Sequence, residues 1–139
     1  MINQRRWRVN FIWLLTLSFL FISMTKASLA FELNFNRNHL YEEVASYLKW
    51  VAKTYPHLTK LHLIGKSYLG KDLLVLEITN QKNGRAIEKP GFWIDGNLHS
   101  SEVMGAEVCL KMIETMITQY GKDPFITHIV DTRTTYIMP

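Results

Sequence analysis

From about residue 38 onward, the apolar positions of this chain alternate between a helical rhythm and a strand rhythm. Val44, Tyr47, Leu48 and Val51 recur at helical spacing, which predicts a helix over residues 38–54. Asn38 can cap its start, Glu42 and Glu43 sit early where the helix dipole favours carboxylates, and Tyr55-Pro56 ends it. Residues 61–64 and 73–79 are expected to be two strands joined through Ser67-Tyr68-Leu69-Gly70-Lys71, a hairpin with glycine at its turn. Residues 80–90 are polar and loop-like. Gly91–Asp95 is a short apolar run of the kind a buried strand shows. Val103, Ala106, Leu110, Ile113 and Ile117 then mark one face of a second long helix, which Gly121 stops. Asp123-Pro124 starts a brief helix carrying Phe125, Ile126 and Ile129, and Thr134–Met138 is again a strand. Such alternation predicts an α/β domain with helices packed on a sheet. Because its last element is a strand, the pattern is that of the front of a larger sheet.

Residues 1–30 follow a different rule. A basic start with Arg5, Arg6 and Arg8 leads into the 14-residue apolar run of residues 11–24, and Ser28-Leu29-Ala30 closes the segment with small residues flanking one leucine. That is the pattern of a secretory signal peptide, and the run is shorter than the roughly 20 residues a membrane span needs. The expectation is export with cleavage after Ala30, to a secreted or periplasmic location, without stable membrane association once the leader is gone. The leader also accounts for the net charge of +4: with Arg5, Arg6, Arg8 and Lys26 set aside, twelve basic residues face twelve acidic ones. Charge therefore gives no reason to expect a nucleic-acid partner. A single cysteine excludes a disulfide framework and any cysteine-based zinc module. It lies in the apolar stripe as Cys109, where a buried thiol is expected.

The chemistry concentrates in Asp95-Gly96-Asn97-Leu98-His99-Ser100-Ser101-Glu102, just past the Gly91–Asp95 strand, where open α/β sheets place their sites. His99 offers a neutral nitrogen and Glu102 a charged oxygen pair, a donor set suited to Zn²⁺ that leaves room for a third ligand and a water. On spacing alone two readings stand. Either the pair holds metal, or Glu102 merely complements the helix dipole while His99 is a solvated loop residue. Asp95 is a candidate hydrogen-bond partner that would orient His99.

This stretch resembles the first zinc-ligand motif of the zinc metallocarboxypeptidases of the carboxypeptidase A type. Gly65-Lys66-Ser67-Tyr68-Leu69-Gly70-Lys71-Asp72-Leu73 is similar to that family's hairpin, Tyr41-Glu42-Glu43-Val44 and Tyr55-Pro56 frame the first helix, and Gly121-Lys122-Asp123-Pro124 leads to the last strand. The resemblance spans nearly all of Phe31–Pro139 in order. It implies the front portion of a mixed-sheet catalytic domain, one Zn²⁺ held in part by His99 and Glu102, and a peptide or protein C-terminus as substrate. It also implies hydrolysis by a zinc-activated water, with a glutamate as general base and an arginine holding the oxyanion. The family's third ligand, its general base and its substrate-carboxylate Asn-Arg pair would all lie beyond Pro139. No catalytic residue is thus expected within the chain, which on its own should be inactive. Ser101 stands where an arginine or a small residue is common in the family.

None of the remaining histidines has motif support as a substitute ligand. His39 and His57 flank the first helix, His62 lies on the outer face of a strand, and His128 is in the short helix; all are expected at the surface or at element boundaries. Glu107 and Glu114, seven apart on the second long helix, are expected on a solvated face. Trp50, Trp93 and Tyr136 are spaced like core residues, and Lys66 and Lys71 flank a solvated turn. The reading that competes with a peptidase is a non-catalytic truncated product, or a peptide-binding relative without a complete metal centre.

Overall fold

The computed structural model describes residues 31–139, and the leader expected over residues 1–30 lies outside the described residues. Helix α1 (Tyr41–Thr54) starts later than Asn38. Leu40 is its extended cap residue, and the Glu43 carboxylate reaches back to accept the Leu40 N–H at 2.9 Å. Closure of the first turn thus comes from inside the helix. Arg37 grips the same carboxylate, and the two contacts together hold the Glu43 carboxyl down at about 2.

Strands β1 (Thr59–Lys66) and β2 (Asp72–Ile78) form the expected hairpin, antiparallel, with a bulge between Leu63 and Gly65. The loop over residues 80–90 contains two short 3₁₀ turns, Gln81–Asn83 and Ala86–Glu88. Strand β3 (Gly91–Asp95) leads through α2 (Val103–Gln119) and α3 (Pro124–Thr132) to β4 (Thr134–Met138). Gly121 follows α2 in the left-handed region, at φ 77. Asp123 caps α3 by accepting the Phe125 and Ile126 N–H groups at 2.8 and 3.0 Å, with Pro124 in the first turn.

β4 pairs parallel with β3 and antiparallel with β2, so the sheet is mixed, in the order β1-β2-β4-β3. Two adjacent parallel strands need a long crossover, and α2 with α3 supplies it. Leu76 and Ile78 of β2 and Ile137 of β4 meet Leu48 and Val51 of α1, Leu110 and Ile113 of α2, and Val130 of α3 in one buried cluster. Each such side chain contributes about 1.5–3 kcal/mol by leaving water. Cys109 is buried in the same cluster, as expected.

One strand departs from expectation. β3 was expected to be buried, yet among the described residues only β4 flanks it, and Phe92 and Trp93 are 61% and 51% exposed. An apolar run records what a strand can bury; it does not say whether a neighbour is there to bury it. Trp93 accordingly lies against Tyr136 on the sheet surface instead of inside the core. Among the described residues no helix is long and apolar enough to cross a membrane.

Candidate metal centre

The pairing of β3 with β4 runs one bond past Asp95, where the Gly96 N–H donates to the Met138 carbonyl at 3.0 Å. The chain then crosses the first turn of α2 with no room for a side chain on either element. A Cβ on Gly96 would stand 2.4 Å from the backbone carbon and oxygen of Gly105, and one on Gly105 would stand 2.8 Å from the Asn97 nitrogen. Two glycines thus let strand end and helix touch backbone to backbone. Asn97 follows at φ 55, a left-handed conformation that asparagine tolerates better than most residues.

This crossing carries the predicted pair. Glu102 is the cap residue of α2; its N–H donates to the His99 carbonyl at 2.9 Å, and its own carbonyl accepts from Gly105 at 2.8 Å. The Glu102 carboxylate makes no cap bond to the helix. It turns back instead, with Oε1 3.2 Å from His99 Nδ1 and Oε2 3.4 Å from the His99 backbone nitrogen. A carboxylate serving only as a helix cap would face the amides of the first turn; this one faces the imidazole. The two side chains are 75% and 58% exposed, so both are open to solvent. With zinc–ligand bonds of 2.0–2.2 Å, two donors on one tetrahedral ion stand about 3.4 Å apart. The observed 3.2 Å separation of nitrogen and oxygen suits that spacing, and the donor types are the right ones. The pair fits a zinc ion. Among the described residues no group of three or more histidine, cysteine or acidic side chains converges.

Asp95 sits exposed at the end of β3 and makes no hydrogen bond with His99 among the described residues. Its charge is felt by Cys109, whose thiol is pushed up mainly by burial and secondarily by Asp95.

One expectation is corrected, and one holds only in part. His39 is no surface residue: its side chain is 2% exposed, with Nδ1 2.7 Å from Glu107 Oε2, and its backbone N–H donates to Glu107 Oε1 at 2.6 Å. Glu107, expected on a solvated face, is buried. The segment before α1 lies on α2 at this point and covers the carboxylate, a contact that periodicity within one helix does not reveal. The available signal was the position of Glu107 beside Ala106 and one turn from Leu110, at the margin of the apolar stripe. His39 Nε2 has no hydrogen-bond partner among the described residues. His57 and His128 are exposed, as expected. His62 pairs with the buried Glu77 at 2.9 Å. Lys66 is held by Asp72, while Lys71 is held by Glu42 and lies over the Tyr41 ring.

Comparison with known proteins bears on the same segment. The zinc carboxypeptidase family model matches residues 44–139. Mouse carboxypeptidase M is 38% identical over 103 residues, covering 74% of this chain and 23% of that protein. A zinc carboxypeptidase of Saccharothrix mutabilis subsp. capreolus is 30% identical over 103 residues, covering 73% of this chain and again 23% of the relative. The chain therefore spans about a quarter of the length of these relatives. Among solved structures, thrombin-activatable fibrinolysis inhibitor superposes with a TM-score of 0.69 at 30% identity, over 76% of this chain and 25% of that one. A carboxypeptidase A from Helicoverpa armigera also gives 0.69, at 24% identity, over 94% and 31% of the two chains, and shares the fold. With residues 44–139 matched by that family model and folded into the mixed sheet and crossover described above, the chain belongs to the zinc carboxypeptidase family.

Proposed function

We propose that this chain is the front of the catalytic domain of an exported, zinc-dependent carboxypeptidase that removes residues from peptide or protein C-termini. The observation that carries the reading is the Glu102 carboxylate, which turns away from the helix it begins and toward His99. His99 and Glu102 would hold the ion together. When bound, zinc would supply Lewis acidity toward the scissile carbonyl and toward an attacking water. The chain's own part is placement. The Gly96–Gly105 contact fixes the loop against α2, and the solvent exposure of both donors leaves the approach open to a substrate terminus. Asp95 would orient His99 only after a change in the loop, since the two are not bonded here.

The remaining donors, the general base and the arginine are expected from polypeptide outside the quarter of the relatives' length that this chain spans. The test is an assay of N-blocked dipeptides with the 139-residue chain and with the polypeptide that includes its natural continuation. Release of the C-terminal residue is expected only from the longer protein, lost with a chelator, restored by zinc and absent in His99→Ala. The second reading is a non-catalytic product. A stop codon directly after Pro139 together with an inactive product would establish it. For localisation, N-terminal sequencing of the exported protein should begin Phe31-Glu32-Leu33. Met1 retained in the membrane fraction would replace the cleaved leader with an anchor.

A further inference from the structure

The chain that enters α1 is fastened to α2 by a buried polar clasp. His39 grips Glu107 twice: its backbone N–H donates to Oε1 at 2.6 Å, and its Nδ1 lies 2.7 Å from Oε2. A single residue thus engages both carboxylate oxygens, and the two side chains are 2% and 9% exposed. The same stretch of chain follows α2 for another turn. The Phe35 ring meets the His39 imidazole edge-on at 5.9 Å, and the Lys111 ammonium lies over the Phe35 ring at 4.8 Å. Stability alone is a poor account of the clasp. A buried pair of ionisable groups is often no more stabilising than apolar side chains of similar volume, and here it leaves His39 Nε2 without a partner among the described residues. What two directed bonds add to apolar packing is a fixed orientation.

The clasp stands where orientation matters for the donors. Successive side chains are about 100° apart around a helix axis, so Gly105 and Glu107 lie on opposite margins of the apolar stripe that runs through Ala106, Leu110, Ile113 and Ile117. On one margin Gly105 meets the backbone of Gly96, and on the other Glu107 is held by His39. The stripe between them resists separation from the core, and the contacts on both margins resist rolling of α2 about its axis. Roll matters because Glu102 caps this helix and its carboxylate faces His99. A carboxylate about 6 Å from the axis moves by about 2 Å when the helix rolls by about 20°, and that is the length of a zinc–ligand bond. We propose that His39 and Glu107 are positioning residues for the zinc donors, acting through the roll of α2. The role presupposes that His99 and Glu102 bind the ion. It gives a pair outside the loop, and out of reach of solvent, a share in the metal affinity.

The test uses the protein with its natural continuation and three readouts: zinc affinity by competition with a chelator, the cobalt(II) absorption spectrum, and the melting temperature without metal. In the double variant His39→Leu with Glu107→Met, apolar side chains of similar size replace the pair, so the fold is expected to melt at or above the parent's temperature. Its zinc affinity should nevertheless fall about tenfold or more, and its cobalt(II) bands should shift as the donors lose their spacing. Glu107→Ala removes both acceptors but keeps a strong helix former, and it should weaken zinc in the same way at temperatures where it is folded. His39→Asn retains an N–H close to the place of Nδ1 and should bind zinc nearly as the parent does. Parental zinc affinity and cobalt(II) bands in either of the first two variants would leave the clasp a packing contact and overturn the proposal. So would a folded His39→Asn protein as weak for zinc as the double variant. A parent that takes up no zinc, or whose zinc survives His99→Ala, overturns the metal reading itself and this role with it.

Discussion

The centre of the sheet and its β3 end are held by opposite means. At the centre, β2 and β4 pack apolar side chains against the helices, and Leu76, Ile78, Leu110, Ile113, Val130 and Ile137 are essentially inaccessible to water. At the β3 end, the structure closes where side chains are missing, with Gly96 against Gly105. One region tolerates no loss of volume and the other no gain. The proposed zinc donors belong to the second: His99 and Glu102 are exposed, and the backbone contact of Gly96 with Gly105, not burial, holds the loop that carries them.

The largest expected effect comes from breaking the centre. Ile113→Ala should lower the unfolding free energy by about 2–5 kcal/mol, read from denaturant melts, through lost transfer energy plus the cavity left behind. A loss below about 1 kcal/mol would mean that the core collapses around the gap and the contrast between the regions is weaker than the packing implies.

Gly96→Ala is the converse experiment, since it adds one methyl group where the nearest atoms are backbone. It should cost about 1–3 kcal/mol, because strand end or helix has to move. It should also weaken zinc binding measured by titration, because the loop carrying both donors moves with it. Unchanged zinc affinity would show that the crossing does not set the donor geometry.

Replacing the donors should separate binding from stability. In the protein with its natural continuation, His99→Ala should remove the metal, and Glu102→Gln should weaken it by at least about 10 to 100-fold. Both melting curves without metal should stay within about 0.5 kcal/mol of the parent, as for other exposed positions. Were Glu102 there only for the helix dipole, the glutamine variant would keep its zinc and lose about 0.3–1 kcal/mol of stability.

The smallest effect is electrostatic and lies at the surface. The Glu43 carboxyl is held near 2 by Arg37 and by the Leu40 N–H, below its ordinary 4.5. The folded state therefore resists protonation that the unfolded chain accepts. The contribution is complete above about pH 4.5 and is lost as pH falls toward about 2. In Arg37→Gln the fall in melting temperature across that window should be shallower, and added salt should reduce the difference between the two proteins.

Local grammar carried much of this structure in the sequence. The apolar stripe of α2, the Asp123-Pro124 start of α3, the hairpin and the strand–loop–helix passage around His99 depend on residues a few positions apart, so pattern reveals them. The exposure of β3, the burial of His39 against Glu107 and the contact of Gly96 with Gly105 depend on segments that meet only after folding. The start of α1 shows the same limit on a smaller scale. Asn38 is the better cap by residue type, yet Arg37 and Glu43 close the turn at Leu40 by a side-chain arrangement that no single preference predicts.

The parallel pairing of β3 with β4 has a consequence for the order in which the molecule assembles. The β1–β2 hairpin closes over a five-residue connection, but β3 finds β4 only after all of α2 and α3 has been traversed. Loop-closure entropy makes such distant pairings slow, whereas hairpins form in microseconds. The Gly96 N–H bond to Met138 belongs to that late pairing, so the strand end that leads into the loop bearing His99 and Glu102 joins the sheet only once the crossover is complete. An ion bound by His99 and Glu102 would therefore meet a finished hairpin and an unfinished site during synthesis, and its loading would follow sheet closure in time.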